Sequence, residues 1–290
     1  AYADANTRVA AVSDVDDFTG DFSSTVNATS TAGSADADAY AEAYAGANAE
    51  AYGVEFYDAK DVWFDEEDAW FDEDIFENVF TGNFTADADV TLTATGGLAT
   101  ASSGDDDDDD DDDHAGAEAN AFAGVMVDLE RYVGNFDGTA TVLATGGDAT
   151  AYGRDNASAE AYAEAVGISI DYSDDDDDDD DDNVFVGDFT GSLTLDAIGG
   201  DAYAVNSFIP PVFTDAIEAS DDYYFEGVLA DASAETIGIG GDVVGSVSGE
   251  LDLNAEGGTA EAGGFYEETL SLAYASVTGI DGDVYADDDD

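Results

Sequence analysis

Residues 35–51 read ADADAYAEAYAGANAEA, with Ala at every odd position and Asp, Tyr, Glu, Gly or Asn at every even one. A strict period of two places all the Ala on one face of a β-strand and the acidic and tyrosyl side chains on the other. In an α-helix the same Ala would be spread around the whole cylinder, leaving no apolar stripe to bury. The stretch therefore predicts strand, with a bend near Gly46 because a single strand of this length would extend about 56 Å.

The same alternation recurs in two later stretches, at 115–123 and 157–165. Each Ala run ends in a more hydrophobic stretch, at 54–56, 125–129 and 166–170. We expect these bulkier stretches to form the thicker part of the core. The Ala-lined faces should pack more closely than the ~10 Å typical of stacked sheets.

A pattern of small residues around a turn glycine occurs five times, at 24–37, 88–101, 138–151, 191–204 and 249–262. The turn glycines are 64, 50, 53 and 58 residues apart. Such irregular spacing favours a repeated hairpin with loops of variable length over coils with fixed rungs.

Four copies are preceded by a second short motif, which reads FTGDF at 18–22, FTGNF at 80–84, VGNF at 133–136 and VGDF at 186–189. Gly followed by Asn or Asp is typical of turns, because both tolerate positive φ. The flanking Phe or Val is expected to anchor each turn in the core.

These patterns predict an all-β fold, either an elongated β-sandwich or an irregular β-solenoid built from repeated hairpins. One short helix is predicted near 62–79, where a near-duplicated heptad places two Trp-Phe pairs, at 63–64 and 70–71, on one side. That side either packs on the protein's own sheet or contacts a neighbouring subunit. Residues 207–224, which include Pro210 and Pro211, lack a clear period and are predicted to be loop.

The sequence divides into an N-terminal segment, one long repeat-containing domain and an acidic tail. Residues 1–15 repeat the Ala alternation and are a candidate donor strand for a second copy. The domain is predicted to span 16–286, and the tail is 287–290. Its repeats are placed near 18–60, 80–130, 133–172, 184–206 and 225–286.

The net charge excludes several classes of partner. The 290 residues include 4 Lys and Arg against 72 Asp and Glu, for a formal net charge of -68 at pH 7. A chain with only four cationic side chains cannot form the basic groove that neutralises phosphates. Nucleic acid is therefore excluded as a partner. An anionic membrane surface would also repel the chain. Because 44% of residues are apolar, we expect a folded core that needs screening salt or bound cations.

The predicted location is extracellular or at the cell surface. The first residues, Ala1 to Ala5, resemble the start of a mature protein after removal of a signal peptide. No apolar run approaches the roughly 20 residues of a membrane span, so no membrane insertion is expected. Glycan acceptor sequons begin at Asn27, Asn83 and Asn156.

Two runs of nine Asp, at 105–113 and 174–182, are the candidate metal sites. They are either solvated loops that keep the protein soluble or multivalent calcium sites, since six to eight hard oxygen ligands surround one Ca²⁺. Neither run continues into a known calcium loop, so calcium would bind as several ions at low affinity. The candidate ligands are Asp105, Asp107, Asp109, Asp111, Asp113, Asp174, Asp176, Asp178, Asp180 and Asp182.

Catalysis finds little support in the sequence. His114 is the only His, so it cannot form a His-based metal cluster, and no Ser or Cys nucleophile is marked out beside it. The acidic residues are too numerous for any catalytic pair to stand out. The sequence therefore predicts that the protein is not an enzyme.

The predicted function is a secreted structural subunit of an extracellular filament, sheath or matrix. Copies would associate through β-strand contacts, with calcium or another cation neutralising the interfaces. The alternative is a calcium-dependent adhesin, or a module that binds mineral or ice through a regular acidic or Thr-rich face. A polyanionic mimic of nucleic acid is less favoured, because much of the Asp is clustered rather than spread at phosphate-like spacing.

Overall fold

The computed structural model describes residues 1–15, 17–39, 42–56, 78–103, 114–153, 156–170, 184–206, 227–263 and 268–285. Within these ranges the secondary structure consists of 25 β-strands, and none of these residues is helical. The strands form six successive layers along the chain; the first five visit four sheets in the same order, and the sixth visits only the first two of them.

The first layer contains β1 (Tyr2–Asp4), β2 (Thr7–Val15), β3 (Asp17–Thr19), β4 (Thr25–Thr31) and β5 (Ala35–Ala39). The second contains β6 (Ala43–Gly46), β7 (Ala49–Phe56), β8 (Val79–Thr81), β9 (Asp89–Thr95) and β10 (Ala99–Ser103). The third contains β11 (His114–Glu118), β12 (Ala121–Leu129), β13 (Arg131–Val133), β14 (Thr139–Thr145) and β15 (Ala149–Gly153).

The fourth layer contains β16 (Asn156–Ile170), β17 (Val184–Val186), β18 (Ser192–Ile198) and β19 (Ala202–Asn206). The fifth contains β20 (Gly227–Gly240), β21 (Asp242–Val244), β22 (Glu250–Glu256) and β23 (Ala260–Gly263). The sixth contains only β24 (Glu268–Asp281) and β25 (Val284–Tyr285).

The layers build four parallel sheets. Sheet A contains β1, β2, β6, β7, β11, β12, β16, β20 and β24, and sheet B contains β3, β8, β13, β17, β21 and β25. Sheet C contains β4, β9, β14, β18 and β22, and sheet D contains β5, β10, β15, β19 and β23. Among the described strands every pairing is parallel and joins equivalent strands of adjacent layers.

The all-β prediction is confirmed for the described residues, but the predicted hairpins are wrong. The strands on either side of a Gly-Gly turn, such as β9 and β10, lie in sheets C and D and do not pair with each other. Parallel stacking instead places each repeat on the equivalent residues of the next, so that like side chains share one face. The Gly-Gly corners also nest on one another, and a Cβ on Gly147 would overlap the carbonyl oxygen of Gly97.

Residues 35–51 confirm the predicted alternation but do not form one strand. β5 ends at Ala39 in sheet D, β6 ends at the predicted break, Gly46, and β7 begins at Ala49 in sheet A. The Ala side faces the core in both sheets, so the same period of two continues across the corner. Its buried members are Ala35, Ala37, Ala43, Ala45, Ala47, Ala49 and Ala51.

Two columns of stacked aromatic rings fill the core beneath sheets B and C. Neighbouring ring centroids are 4.5 to 4.9 Å apart in the first column and 4.5 to 5.1 Å apart in the second. The second column comes from the Gly-Asn or Gly-Asp motif, which confirms that its Phe anchors the turn. The first column is Phe18, Phe80, Tyr132 and Phe185, and the second is Phe22, Phe84, Phe136 and Phe189.

The irregular repeat spacing arises mainly at the two corners that adjoin sheet A. Each corner between sheets C and D has the same three-residue length, as at 96–98. Every internal segment outside the described residues lies next to sheet A. Those before sheet A are 40–41, 104–113, 154–155, 207–226 and 264–267, and those after it are 16, 57–77 and 171–183.

Two predicted elements fall largely outside the described residues. The helix near 62–79 lies outside them up to residue 77, and Val79 begins β8. The loop at 207–224 also lies outside them. The candidate donor segment, 1–15, is described: it forms β1 and β2, which pair with β6 and β7 of the same chain.

Candidate functional site

A ladder of hydrogen bonds runs along the turns between sheets B and C. Asp21 Oδ1 accepts from the backbone N–H of Asn83 at 3.0 Å, and Asn83 Oδ1 accepts from that of Asn135 at 3.1 Å. Asn135 Oδ1 accepts from the N–H of Asp188 at 2.9 Å. Asp188 accepts from the hydroxyl and N–H of Ser246 at 2.6 and 3.1 Å, and these bonds lower the pKa of Asp188. The turn glycines adopt the positive φ, which leaves the Asn and Asp side chains free to join the layers.

A second ladder lies on sheet A, where strands β1 and β2, or β6 and β7, are separated by a short break. Asn6 Oδ1 accepts from the N–H of Asn48 at 3.1 Å, and Asn48 Oδ1 accepts from that of Asn120 at 2.9 Å. Asn120 Oδ1 accepts from the N–H of Tyr162 at 3.0 Å. In both ladders an oxygen of the earlier layer accepts from an N–H of the later one. The stack therefore has a direction, and its first and last layers are chemically different.

The outer face of sheet A carries aligned carboxylates. Glu118, Glu160 and Asp231 occupy the same position in three successive layers. Burial raises the pKa of Glu160, and the carboxylates of Glu118 and Asp231 raise it further. Each such row repeats at the strand spacing of about 4.8 Å, so its charges repel one another unless cations screen them.

A neighbouring row is joined by a tyrosine. The hydroxyl of Tyr162 lies 3.1 Å from Glu164 Oε2 and 3.2 Å from Glu235 Oε2. Burial and both carboxylates raise the pKa of Tyr162. Burial also raises the pKa of Glu164, against a lowering effect of the Tyr162 hydrogen bond. The hydroxyl thus bridges two like charges in adjacent layers.

The ten predicted metal ligands, Asp105 to Asp113 and Asp174 to Asp182, lie outside the described residues. Their flanking strands place the runs at different corners. The run at 105–113 joins β10 of sheet D to β11 of sheet A, whereas the run at 174–182 joins β16 of sheet A to β17 of sheet B. The sequence pattern predicts that both runs lie between neighbouring repeats, but the second run connects two strands of the same layer. In the described part of the chain no group of three or more His, Asp or Glu is placed to hold a metal ion.

A cluster around Arg8, which the sequence did not reveal, joins β2 of the first layer to β7 of the second. Arg8 Nε lies 3.7 Å from Glu50 Oε2, and Arg8 Nη2 contacts Glu55 Oε1. Its guanidinium also lies 5.3 Å from the ring centroid of Tyr52. Because Glu55 is buried, Arg8 compensates a carboxylate that has little access to water.

Among the described strands, β24 of the sixth layer pairs with β20 alone, so its other edge has no strand partner there. On the outer face of β24, Leu270, Leu272 and Tyr274 are exposed. Val277 lies opposite buried Thr236, at a core-facing position, yet 53% of its surface is exposed. Within the described residues, a core-facing position is thus exposed at this edge. Residues 268–285 lack the Gly-Gly turn that marks a repeat, so this layer was not identified from the sequence.

The only His and the three sequon Asn residues differ in their exposure to solvent. His114 is exposed at the start of β11. Asn27 is exposed on sheet C, whereas the side-chain amide of Asn83 donates to Asp21 Oδ1 at 2.9 Å. Asn156 Oδ1 is buried. In the described ranges, no helix is long and apolar enough to cross a membrane.

Comparison with protein-family models, with curated proteins and with solved structures found no match to this chain.

Proposed function

We propose that the chain is a secreted structural subunit of an extracellular filament, sheath or matrix, which assembles through β-strand contacts while cations neutralise its charge. The observation that carries the proposal is that, among the described strands, the first layer and β24 each pair on one side only and present unlike edges. An exposed strand edge presents N–H and C=O groups that readily pair with another chain. The chain itself forms such pairs between its own layers.

The finer fold within the proposal is an irregular β-solenoid. The repeated order of sheets A, B, C and D supports a solenoid over a sandwich, because each strand pairs with its equivalent in the next layer. The constant corners between sheets C and D and the variable corners beside sheet A account for the irregular repeat length. A solenoid also offers ends that a further copy can extend.

Cations enter the proposal through the charge. Two copies that each carry -68 repel one another strongly unless ions screen them. In the sequence, one nine-residue Asp run precedes β11 and the other follows β16, both strands of sheet A, and the outer face of that sheet carries aligned carboxylates such as Glu118 and Glu160. Asp oxygens suit calcium better than magnesium, and extracellular calcium modules work at about 10⁻⁴ to 10⁻³ M. We therefore propose several calcium ions bound at low affinity.

The test is negative-stain microscopy and light scattering of the purified protein in buffered salt, with and without millimolar calcium. Ordered fibres or sheets that need calcium more than equimolar magnesium are expected. A variant with Asn at Asp105, Asp107, Asp109, Asp111 and Asp113 should need more calcium than the parent protein. A protein that stays monomeric at every concentration of salt and calcium would refute the structural role.

A second candidate, a surface-binding module, is favoured by the outer face of sheet C. Asn27, Thr91, Thr141 and Thr194 form one row across four layers. Thr31, Thr95 and Thr145 form another row on the same face. The two rows repeat at about 4.8 Å across the strands, the spacing of a regular hydroxyl grid. Adsorption of monomers to ice or mineral, weakened by Thr91→Glu and not by Leu98→Glu at a corner, would support this role.

The proposed glycan is best placed on Asn27. Its side chain is exposed on sheet C, whereas that of Asn83 is engaged in the ladder between layers. The mass of the protein recovered from its native source, before and after enzymatic removal of N-glycans, tests whether this sequon is used.

A further inference from the structure

The two ends of sheet A differ in the backbone groups that they expose. Between layers, the N–H of a core-facing residue donates to the later layer, as from Ala47 to the carbonyl of Glu118 at 2.9 Å. The N–H of an outward-facing residue donates to the earlier layer, as from Tyr44 to the carbonyl of Ala1 at 2.8 Å. The sixth layer therefore presents the N–H and C=O groups of its core-facing residues, and the first layer presents those of its outward-facing residues. These two edges are complementary to each other.

The two edges also match in length and position. β1 and β2 together cover residues 2–15, and β24 covers Glu268–Asp281. The chain's own register relates them through the intermediate layers. Tyr2 occupies the row that ends at Leu270, and Asp4 occupies the row that ends at Leu272. A second copy placed in the same register would thus set Tyr2 beside Leu270 and Asp4 beside Leu272.

The side chains at this junction favour such a contact. The row of Asp4 carries carboxylates at Glu118, Glu160 and Asp231 but ends in Leu272, which is 42% exposed. Joining Leu272 to Asp4 therefore creates no new pair of adjacent carboxylates.

A second row on the outer face, four residues further along the strands, also creates no pair of adjacent carboxylates at the junction. It ends at Ser276 and begins at Arg8, so it brings a neutral hydroxyl beside a cation. The contact would also cover Val277, a core-position side chain left exposed at the end of the stack.

We propose that the partner of β24 and β25 is a second copy of this chain, which adds its β1, β2 and β3 in parallel and in the internal register. This inference rests on the proposed function and specifies how its subunits join. Sheets C and D have one layer fewer than sheets A and B, so β24 and β25 form a ledge. On that ledge, β4 of the second copy would stand two strand spacings, about 10 Å, from β22. The junction is therefore confined to sheets A and B and is heterologous, so it propagates into a filament.

A cysteine cross-link tests the register, because the chain has no Cys of its own. The variant Asp4→Cys, Leu272→Cys places the Cα atoms of the two Cys about 4.8 Å apart across the junction, within the range that a disulfide spans. Within one chain the same positions are five strand spacings apart, about 24 Å, so any such bond joins two copies. The matched control, Asp4→Cys with Ser276→Cys, displaces one thiol by four residues, about 13 Å along the strand.

Under mild oxidation in conditions that give polymers, the in-register pair should form a ladder of covalent multimers at least tenfold faster than the control pair. Polymers seen by microscopy with equal cross-linking in both variants would overturn the end-to-end register and leave the structural role standing. Absence of polymers from the parent protein in every condition would overturn the structural role and this inference together.

A charge substitution gives an independent readout. Leu272→Asp restores the acidic residue found one layer earlier, at Asp231, and should raise the protein concentration needed for polymerisation at least tenfold. The control is Leu98→Asp, because Leu98 is similarly exposed, at 47%, but lies at a corner of the second layer. Circular dichroism checks that both variants keep the β-structure of the parent. Equal polymerisation of the two variants would overturn the proposal.

Discussion

Replacing Phe136 by Ala removes a ring from the middle of an aromatic column. Phe136 is fully buried, and its ring centroid lies 4.5 Å from that of Phe84 and 5.1 Å from that of Phe189. A buried Phe→Ala change costs about 3–5 kcal/mol of unfolding free energy through lost transfer energy and the cavity left behind. Stacked pairs add about 0.5–1.5 kcal/mol each beyond burial.

Phe189→Ala is the matched control, because Phe189 is equally buried but stacks on one aromatic ring, Phe136. The layer after it supplies Val247 at the equivalent position. We therefore expect Phe136→Ala to lower the free energy of unfolding by about 1 kcal/mol more than Phe189→Ala, from the one extra stacked pair. Each variant should still unfold in one transition if the column belongs to a continuous core.

The assay is urea unfolding at fixed high salt, followed by circular dichroism and tyrosine fluorescence. Urea is preferred to guanidinium because it leaves the ionic strength constant for a chain with a net charge of -68. A loss for Phe189→Ala equal to or larger than that for Phe136→Ala would refute the argument that ring stacking between layers adds to burial.

Three further substitutions test the layers separately, each by urea unfolding at pH 7 unless stated. Arg8→Met should lower the free energy of unfolding by about 1–3 kcal/mol, because buried Glu55 loses its cation while Arg8 itself is largely exposed. Glu160→Gln should raise stability at pH 7 by a few tenths of a kcal/mol in this half-buried, salt-screened row, since the folded state raises the pKa of Glu160 above its ordinary 4.5. A raised acid destabilises the fold above its folded pKa, so the gain should shrink as the pH falls through that pKa towards 4.5, and a gain that grows instead would contradict this assignment. Gly134→Ala should lower the free energy of unfolding by well over the roughly 1–2 kcal/mol expected for Gly20→Ala. Both glycines have φ near +140°, but a Cβ on Gly134 overlaps the carbonyl of the preceding layer, whereas a Cβ on Gly20 meets no atom within 4 Å.

The period of two in residues 35–51 was enough to predict strands and their buried face, because burial depends only on which side each residue faces. It could not identify the strand partners. The same alternation suits an antiparallel hairpin and a parallel stack, and only the recurrence of one residue type at one position separates the two. Asn6, Asn48 and Asn120, each preceded by Ala, carried that signal in the sequence.

The candidate site was less predictable than the fold. The Asp runs are conspicuous in the sequence, but their positions depend on which strands they connect, and that requires the sheet order. The Arg8 cluster joins residues of adjacent layers that lie more than 40 positions apart in the chain, Arg8 and Glu50. The exposed edge of β24 was hidden for a different reason: it depends on which described strands pair with β24, and the sequence alone does not give the pairing.

The charge distribution and the polarity of the stack lead to one picture of assembly. Repulsion between copies has a long-range part, set by the net charge, and a short-range part, set by the groups that meet at the junction. Salt at about 1 M reduces the screening length to about 3 Å and removes the first part without any specific site. In the proposed register the second part is already absent, because Leu272 meets Asp4 and Ser276 meets Arg8. In the proposed assembly, calcium would then be needed only to the extent that monovalent ions leave the charge of the Asp runs uncompensated, so several ions bound at low affinity would be sufficient.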